Sequence, residues 1–193
     1  MAIRIKATLE YDGTDFCGFQ IQKGQPTIQE TIEQSLEKLY QKPIRISAAG
    51  RTDTGVHALG QVISFITESN IPPHKTLRAI NAHLPETIRV VEIEEVPVSF
   101  HPRKDAMLRW YRYQALNRSV APVLEKRYFT HVPYRLDFEI LERIVGMLEG
   151  NHDFAGFRSV DCAAKRTRLT LRRFQVKRDG ARVIFDLECR SFL

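Results

Sequence analysis

Cysteine is scarce in this chain of 193 residues, and the three present stand far apart at Cys17, Cys162 and Cys189. No CxxC pair occurs, which excludes a disulfide scaffold and a structural zinc site of ordinary ligand spacing. The expected setting is the reducing cytoplasm, with free thiols. Long apolar runs are missing too: none approaches the roughly 20 residues of a membrane helix. The opening Met-Ala-Ile-Arg-Ile-Lys alternates like a strand and lacks the apolar stretch of a secretion signal. There is no phosphate-binding GxxxxGK[ST] loop, no HExxH helix and no GxSxG elbow. The six histidines fall into no zinc-ligand spacing. No metal and no membrane are expected.

Acidic side chains run short in one half only. Residues 1–100 carry 10 Lys and Arg against 12 Asp and Glu, net −2, whereas residues 101–193 carry 19 against 11, net +8. An excess segregated in this way points to a polyanionic partner, most simply nucleic acid. Solubility charge on a basic surface is the plainer alternative. Hydrophobic content of 43% and charged content of 27% are ordinary for a globular chain with a real core.

Residues 3–11 alternate and read as a strand, closed by Asp12-Gly13-Thr14. Thr27 with Glu30 has capping-box spacing, and Ile28, Ile32, Leu36 and Leu39 share one helical face. A strand over 44–48, a polar loop, a strand over 59–67, a helix from His74 to Leu84 and a strand over 88–96 follow. That order is β-α-β-β-α-β, the ferredoxin-like arrangement of the α+β class. It puts two helices on one face of an antiparallel sheet and leaves the other free, as in RRM-like RNA binders. The second half predicts a strand over 109–116, a long basic loop with Pro122 and Pro133, and a helix over 137–149 between Asp137 and Gly150. Strands over 169–177 and 181–189, joined through Asp179-Gly180, complete it. The expected organisation is two ferredoxin-like halves with antiparallel sheets, 1–100 and 101–193, the second reading β-α-β-β and stopping short of a last helix and strand.

The most informative segment is Ala-Gly-Arg-Thr-Asp-Thr-Gly-Val-His-Ala at 49–58, a polar, glycine-bounded loop between two apolar strands. Arg51 and Asp53 can pair or converge on one substrate, and a salt-bridged carboxylate stays ionised, as a nucleophile or charge stabiliser requires. A surface ion pair in an ordinary turn is the bland alternative. Arg109, Tyr111 and Tyr113 fall on one strand face, able to stack a base and hold a phosphate, or simply to form an aromatic cross-strand pair. Residues 151–158 hold His152, Asp153, Phe154, Phe157 and Arg158; a turn anchored by two core phenylalanines is the favoured reading there. In the string 11–20, Phe16, Phe19 and Gln20 form a binding rim or pack on the sheet. Lys165, Arg166, Arg168, Arg172 and Arg173 cluster cations suited to phosphate, against the alternative of a solvated face.

Taken in order, these motifs resemble the TruA family of tRNA pseudouridine synthases over nearly the whole chain. YDGTDFCGFQIQ at 11–22 is similar to the family's YDGTxFxGWQxQ, with Phe19 for Trp. Thr27-Ile28-Gln29 with Leu36-Glu37 resembles its TVQ…LE helix, and Gly50 to Ala58 its GRTDxGVHA signature. Leu84-Pro85, Phe100-His101-Pro102-Arg103, RWYRY at 109–113 and residues 151–157 resemble further family motifs, with Pro102 for Ala. The resemblance implies an isomerase that converts uridine to pseudouridine at positions 38, 39 and 40 in the anticodon stem-loop, needs no cofactor, and works as a homodimer on tRNA. It implies Asp53 as the catalytic aspartate, Arg51 as the side chain that flips and holds the nucleotide, and Tyr111 as the ring stacked on the base. His57, Arg109 and the cluster from Lys165 to Arg173 become candidates for tRNA contact.

The resemblance also implies a further segment, a helix carrying Met-Val-Arg whose arginine pairs with the catalytic aspartate, expected where this chain ends at Ser191-Phe192-Leu193. On that expectation the 193 residues catalyse poorly or not at all, and the alternative function is tRNA binding without turnover. A protein-interaction module would instead show no salt-dependent tRNA binding. A metal-dependent nuclease lacks the further carboxylates it would need near Asp53.

Overall fold

The computed structural model describes residues 2–158 and 166–192, which form two units, Met1–Ala106 and Met107–Leu193. In the first, alternation makes Ile3–Tyr11 a strand, β1, that buries Ile5, Ala7, Leu9 and Tyr11 and turns Arg4, Lys6 and Thr8 the other way. Helix α1, Ile28–Tyr40, begins at Thr27, whose hydroxyl accepts from the Glu30 N–H, the expected cap. Strand β3, Ala58–Thr67, helix α2, Pro73–His83, and strand β4, Ile88–Val96, follow. The strand expected over 44–48 shrinks to β2, Ser47–Ala48. The cause is Glu33 on α1: its carboxylate accepts from the Ile46 N–H at 3.2 Å and from the Arg45 guanidinium at 2.5 Å. A backbone donor committed to a side chain cannot serve a ladder, yet Ile44 and Ile46 still reach the core.

The sheet order is β2-β3-β1-β4, and β1 runs antiparallel to both neighbours. Ile28, Ile32 and Leu36 of α1 and Ile80 of α2 close the core over Leu9, Ile63 and Phe65. The opposite face carries Lys6–Glu94 and Thr8–Glu92 contacts. This is the ferredoxin-like layout.

The second unit contains β5, Arg109–Asn117, β6, Thr130–Val132, α3, Phe138–Leu148, β7, Gly150–Asp153, β8, Arg168–Asp179, and β9, Arg182–Cys189. Asp137 caps α3 by accepting from the Ile140 N–H. Gly180 at φ +56 makes the β8–β9 turn. The sheet order is β6-β5-β9-β8-β7. Two elements differ from expectation. The long basic loop contains β6, which pairs parallel to β5, so this sheet is mixed rather than purely antiparallel. Residues 151–153, expected as a loop, belong to edge strand β7 on β8, followed by a 3-10 turn at Ala155–Phe157. No described helix is long and apolar enough to cross a membrane.

Register assigns the two faces of this sheet. Ala115, Val176 and Val183 pack with Val145 of α3, flanked by Phe174, Phe185 and Leu141. Tyr113 opposes Phe185 and Tyr111 opposes Leu187, so both tyrosines lie on this helix-bearing face. On the other face the Arg112 guanidinium donates to Asp186 from Nε at 2.7 Å and from Nη2 at 3.1 Å. Asp186 is 7% exposed. The Arg112 fork holds its carboxyl below the usual carboxylate range, with a smaller contribution from the Trp110 N–H. A depressed folded pKa contributes stability above the unfolded value of about 3.9 and loses it as pH falls through the folded one. Asp186→Asn is expected to cost about 1–2 kcal/mol at neutral pH, discounted for the half-exposed arginine. The gap from the parent chain should close as pH drops below about 4, checked by urea unfolding across pH.

Candidate functional site

Segment 11–19, at the end of β1, holds loop 49–57 in place. The Phe19 N–H donates to the Thr52 carbonyl at 2.9 Å, and the Tyr11 and Thr52 hydroxyls lie 2.8 Å apart. Gly55, at φ +76, donates to the Phe16 carbonyl at 3.4 Å. Two glycines permit the contact. A Cβ on Gly13 would sit 2.0 Å from the Val56 carbonyl oxygen, and one on Gly18, at φ +87, would sit 2.9 Å from that of Thr52. The Asp12 carboxylate accepts from the Thr14 N–H at 3.0 Å and lies 3.1 Å from His57 Nδ1. That ring nitrogen is also 3.2 Å from the Gly13 N–H. One nitrogen cannot donate to the first and accept from the second; a carboxylate takes only donors, so the Nδ1–H tautomer facing Asp12 is assigned.

The result is a pinned backbone with exposed functional groups. Arg51 and Asp53 are both exposed, and they form no ion pair with each other among the described residues. Of the two arrangements their spacing allows, mutual pairing is not adopted. Phe16 and Phe19 are buried, so the string 11–20 packs as core at its rings.

In the second unit Tyr111 is half-buried and meets Phe192 edge to face, ring centroids 4.8 Å apart at 86°. The Arg109 guanidinium donates to the Arg190 carbonyl. Tyr113 is 63% exposed. The segment 151–158 is not a turn held by two core phenylalanines, because Phe157 is 72% exposed. Its Asp153 organises the turn instead: the Thr167 hydroxyl and the Ala155 N–H lower its carboxyl pKa. Arg166, Arg168, Arg172 and Arg173 are exposed, whereas Lys165, like Cys162, lies outside the described residues. Arg168 reaches Asn151 at 3.3 Å and Arg173 reaches Gln175 at 2.6 Å. The pair Arg112–Asp186 and the indole beside it escaped the sequence reading; alternation around Tyr111 was the available signal, since it puts residues 110 and 112 together on the opposite face. No group of three or more His, Cys, Asp or Glu able to hold a metal occurs among the described residues.

The chain matches the tRNA pseudouridine synthase family over residues 7–103 and 144–193. The chain belongs to the tRNA pseudouridine synthase family. Its relatives include proteins named tRNA pseudouridine synthase A. That of Methylococcus capsulatus is 38% identical over 191 residues, 99% of this chain and 70% of the relative. That of Erythrobacter litoralis is 39% identical, over 98% of this chain and 77% of the relative. That of a Geobacillus species is 43% identical, over 86% and 65%. The family makes the enzyme an isomerase acting on uridine in tRNA. Arg51, Asp53, His57 and the arginines from 166 to 173 fall in the family-matched segments, whereas Arg109 and Tyr111 lie between them.

If the family's Arg-Thr-Asp loop depends on the missing Cβ, Gly13→Ala must displace Val56 and is expected to cost about 1–3 kcal/mol, with a parallel loss of turnover. Gly60→Ala, with nothing within 4 Å of its added Cβ, should stay within about 0.5 kcal/mol. Thermal unfolding and tritium release from C5-labelled tRNA read the pair.

Proposed function

We propose that the chain isomerises uridines at positions 38, 39 and 40 of the tRNA anticodon stem-loop, with Asp53 as the catalytic carboxylate. The observation that carries this reading is the presentation of Asp53: an exposed carboxylate directly after Thr52, whose carbonyl and hydroxyl are both held by segment 11–19. A group so held meets a flipped-out nucleotide at little reorganisation cost. The bond between C1′ and N1 breaks, the base turns, and C1′ bonds to C5. C5 then loses its proton and N1 gains one, so the formula is unchanged and neither oxidant nor cofactor is consumed.

In this scheme Asp53 acts at the sugar as nucleophile or base, and Arg51 holds the flipped nucleotide. Tyr111 stacks on the base and serves the last proton removal. His57, Arg109 and the cations from Lys165 to Arg173 contact the RNA. The contact of His57 with Asp12 gives that ring a second part, as support for the loop. The working form is a homodimer, as the resemblance implies, in the reducing cytoplasm to which the sparse cysteines point.

With tRNA labelled at C5 of uridine, tritium release by the parent chain is the result that supports turnover. Asp53→Asn should bind tRNA with similar affinity and release only background. Retained turnover in that variant would move the chemistry elsewhere, while tRNA binding by the parent chain without release would favour the binding-only alternative. Replacing U38, U39 and U40 singly by cytidine reads the positions.

A further inference from the structure

The helix-free face of the second unit's sheet presents Trp110, the chain's single tryptophan, at 59% exposure. Register opposes it to Glu188, while Arg112 opposes Asp186. The indole is fixed from two directions. Its Nε1–H donates to Asp186 at 3.2 Å, and the Arg112 guanidinium sits 4.9 Å from the ring centroid while its own fork grips the same carboxylate. Because Asp186 is nearly buried, this three-residue unit is anchored in the sheet. An indole whose N–H is already satisfied offers a partner only its π surface, and a ring already held loses little rotamer freedom on contact.

The surroundings select the partner. Exposed Arg173 and Lys177 of β8 lie on the same face by register, opposite Glu188 and Ile184. With Arg112 and Arg182, four cations share this face with the carboxylates Asp179, Asp186 and Glu188, and Arg182 is paired with Glu125; the half of the chain as a whole carries net +8. A fixed aromatic ring rimmed by cations matches an unpaired base with its flanking phosphates.

We propose that Trp110 is a stacking platform for an unpaired nucleobase of the RNA substrate, on the sheet face opposite Tyr111, with Arg173 and Lys177 beside the neighbouring phosphates. The proposal rests on tRNA being the substrate and assigns it a second contact, distinct from the Asp53 loop. A single tryptophan lets fluorescence report on this ring alone. Filter retention measures binding of a tRNA transcript independently. The expected result is saturable quenching that tracks the retention curve, with Trp110→Ala weakening retention about tenfold and Trp110→Phe, which keeps a ring, within about threefold. Retention with unchanged fluorescence, and unaltered affinity in Trp110→Ala, would overturn the platform while leaving tRNA binding intact. No retention at all would overturn both. A fluorescence change driven by protein concentration without RNA would overturn it in favour of self-association.

Discussion

Where the Val56 carbonyl crosses Gly13, a Cβ would have to sit 2.0 Å from it, and the arrangement of the loop that carries Arg51 and Asp53 depends on that close approach. The chain of support begins at a helix end. The first N–H groups of α1 have no partner within the helix; Ile28 donates instead to the Gly18 carbonyl and Gln29 to that of Phe19. Segment 12–19 is thereby tied to α1, and α1 to the core through Ile28, Ile32 and Leu36. Phe19 then donates to Thr52, the residue before Asp53. An exposed carboxylate is thus positioned by backbone bonds that trace back to a helix packed on the core, without an ion pair to Arg51. Backbone groups carry no titratable charge, so these bonds do not depend on the protonation of the carboxylate that the proposed reaction would use.

The second unit divides its labour by strand parity. Along β5, odd positions from Tyr111 to Ala115 face α3, and even positions Trp110 and Arg112 face away. One strand therefore supplies an aromatic group to each side of the sheet. The side toward α3 holds Tyr111 against Phe192, and the far side holds an indole clamped by Arg112 and Asp186. In the proposed RNA contact, a basic half built this way would combine charge attraction, which is long in range and sensitive to salt, with ring surfaces that act only at contact.

Much of this was legible in the sequence. The β1 alternation, the Thr27 and Asp137 caps and the Asp179-Gly180 turn are local signals, and each is realised where its chemistry requires. What escaped was non-local. The segment 44–48 has a strand's apolar alternation, but Glu33, on a helix, takes the Ile46 N–H. Strand β6 is three residues long, and its partner β5 lies well before it in the chain. The site divides the same way: the residues of 49–57 stand together in the sequence, but the 11–19 contacts that hold them cross more than thirty positions, and Asp186 lies 74 from Arg112.

The Asp53 loop is a fixed element, locked to segment 11–19, and not a mobile surface loop. Native-state hydrogen exchange at the Phe19 amide, the donor to Thr52, tests it most directly. Protection of the same order as that of the core amides of β1 is expected, because both are released only by opening the first unit. Exchange as fast as an exposed loop amide, with β1 still protected, would contradict it.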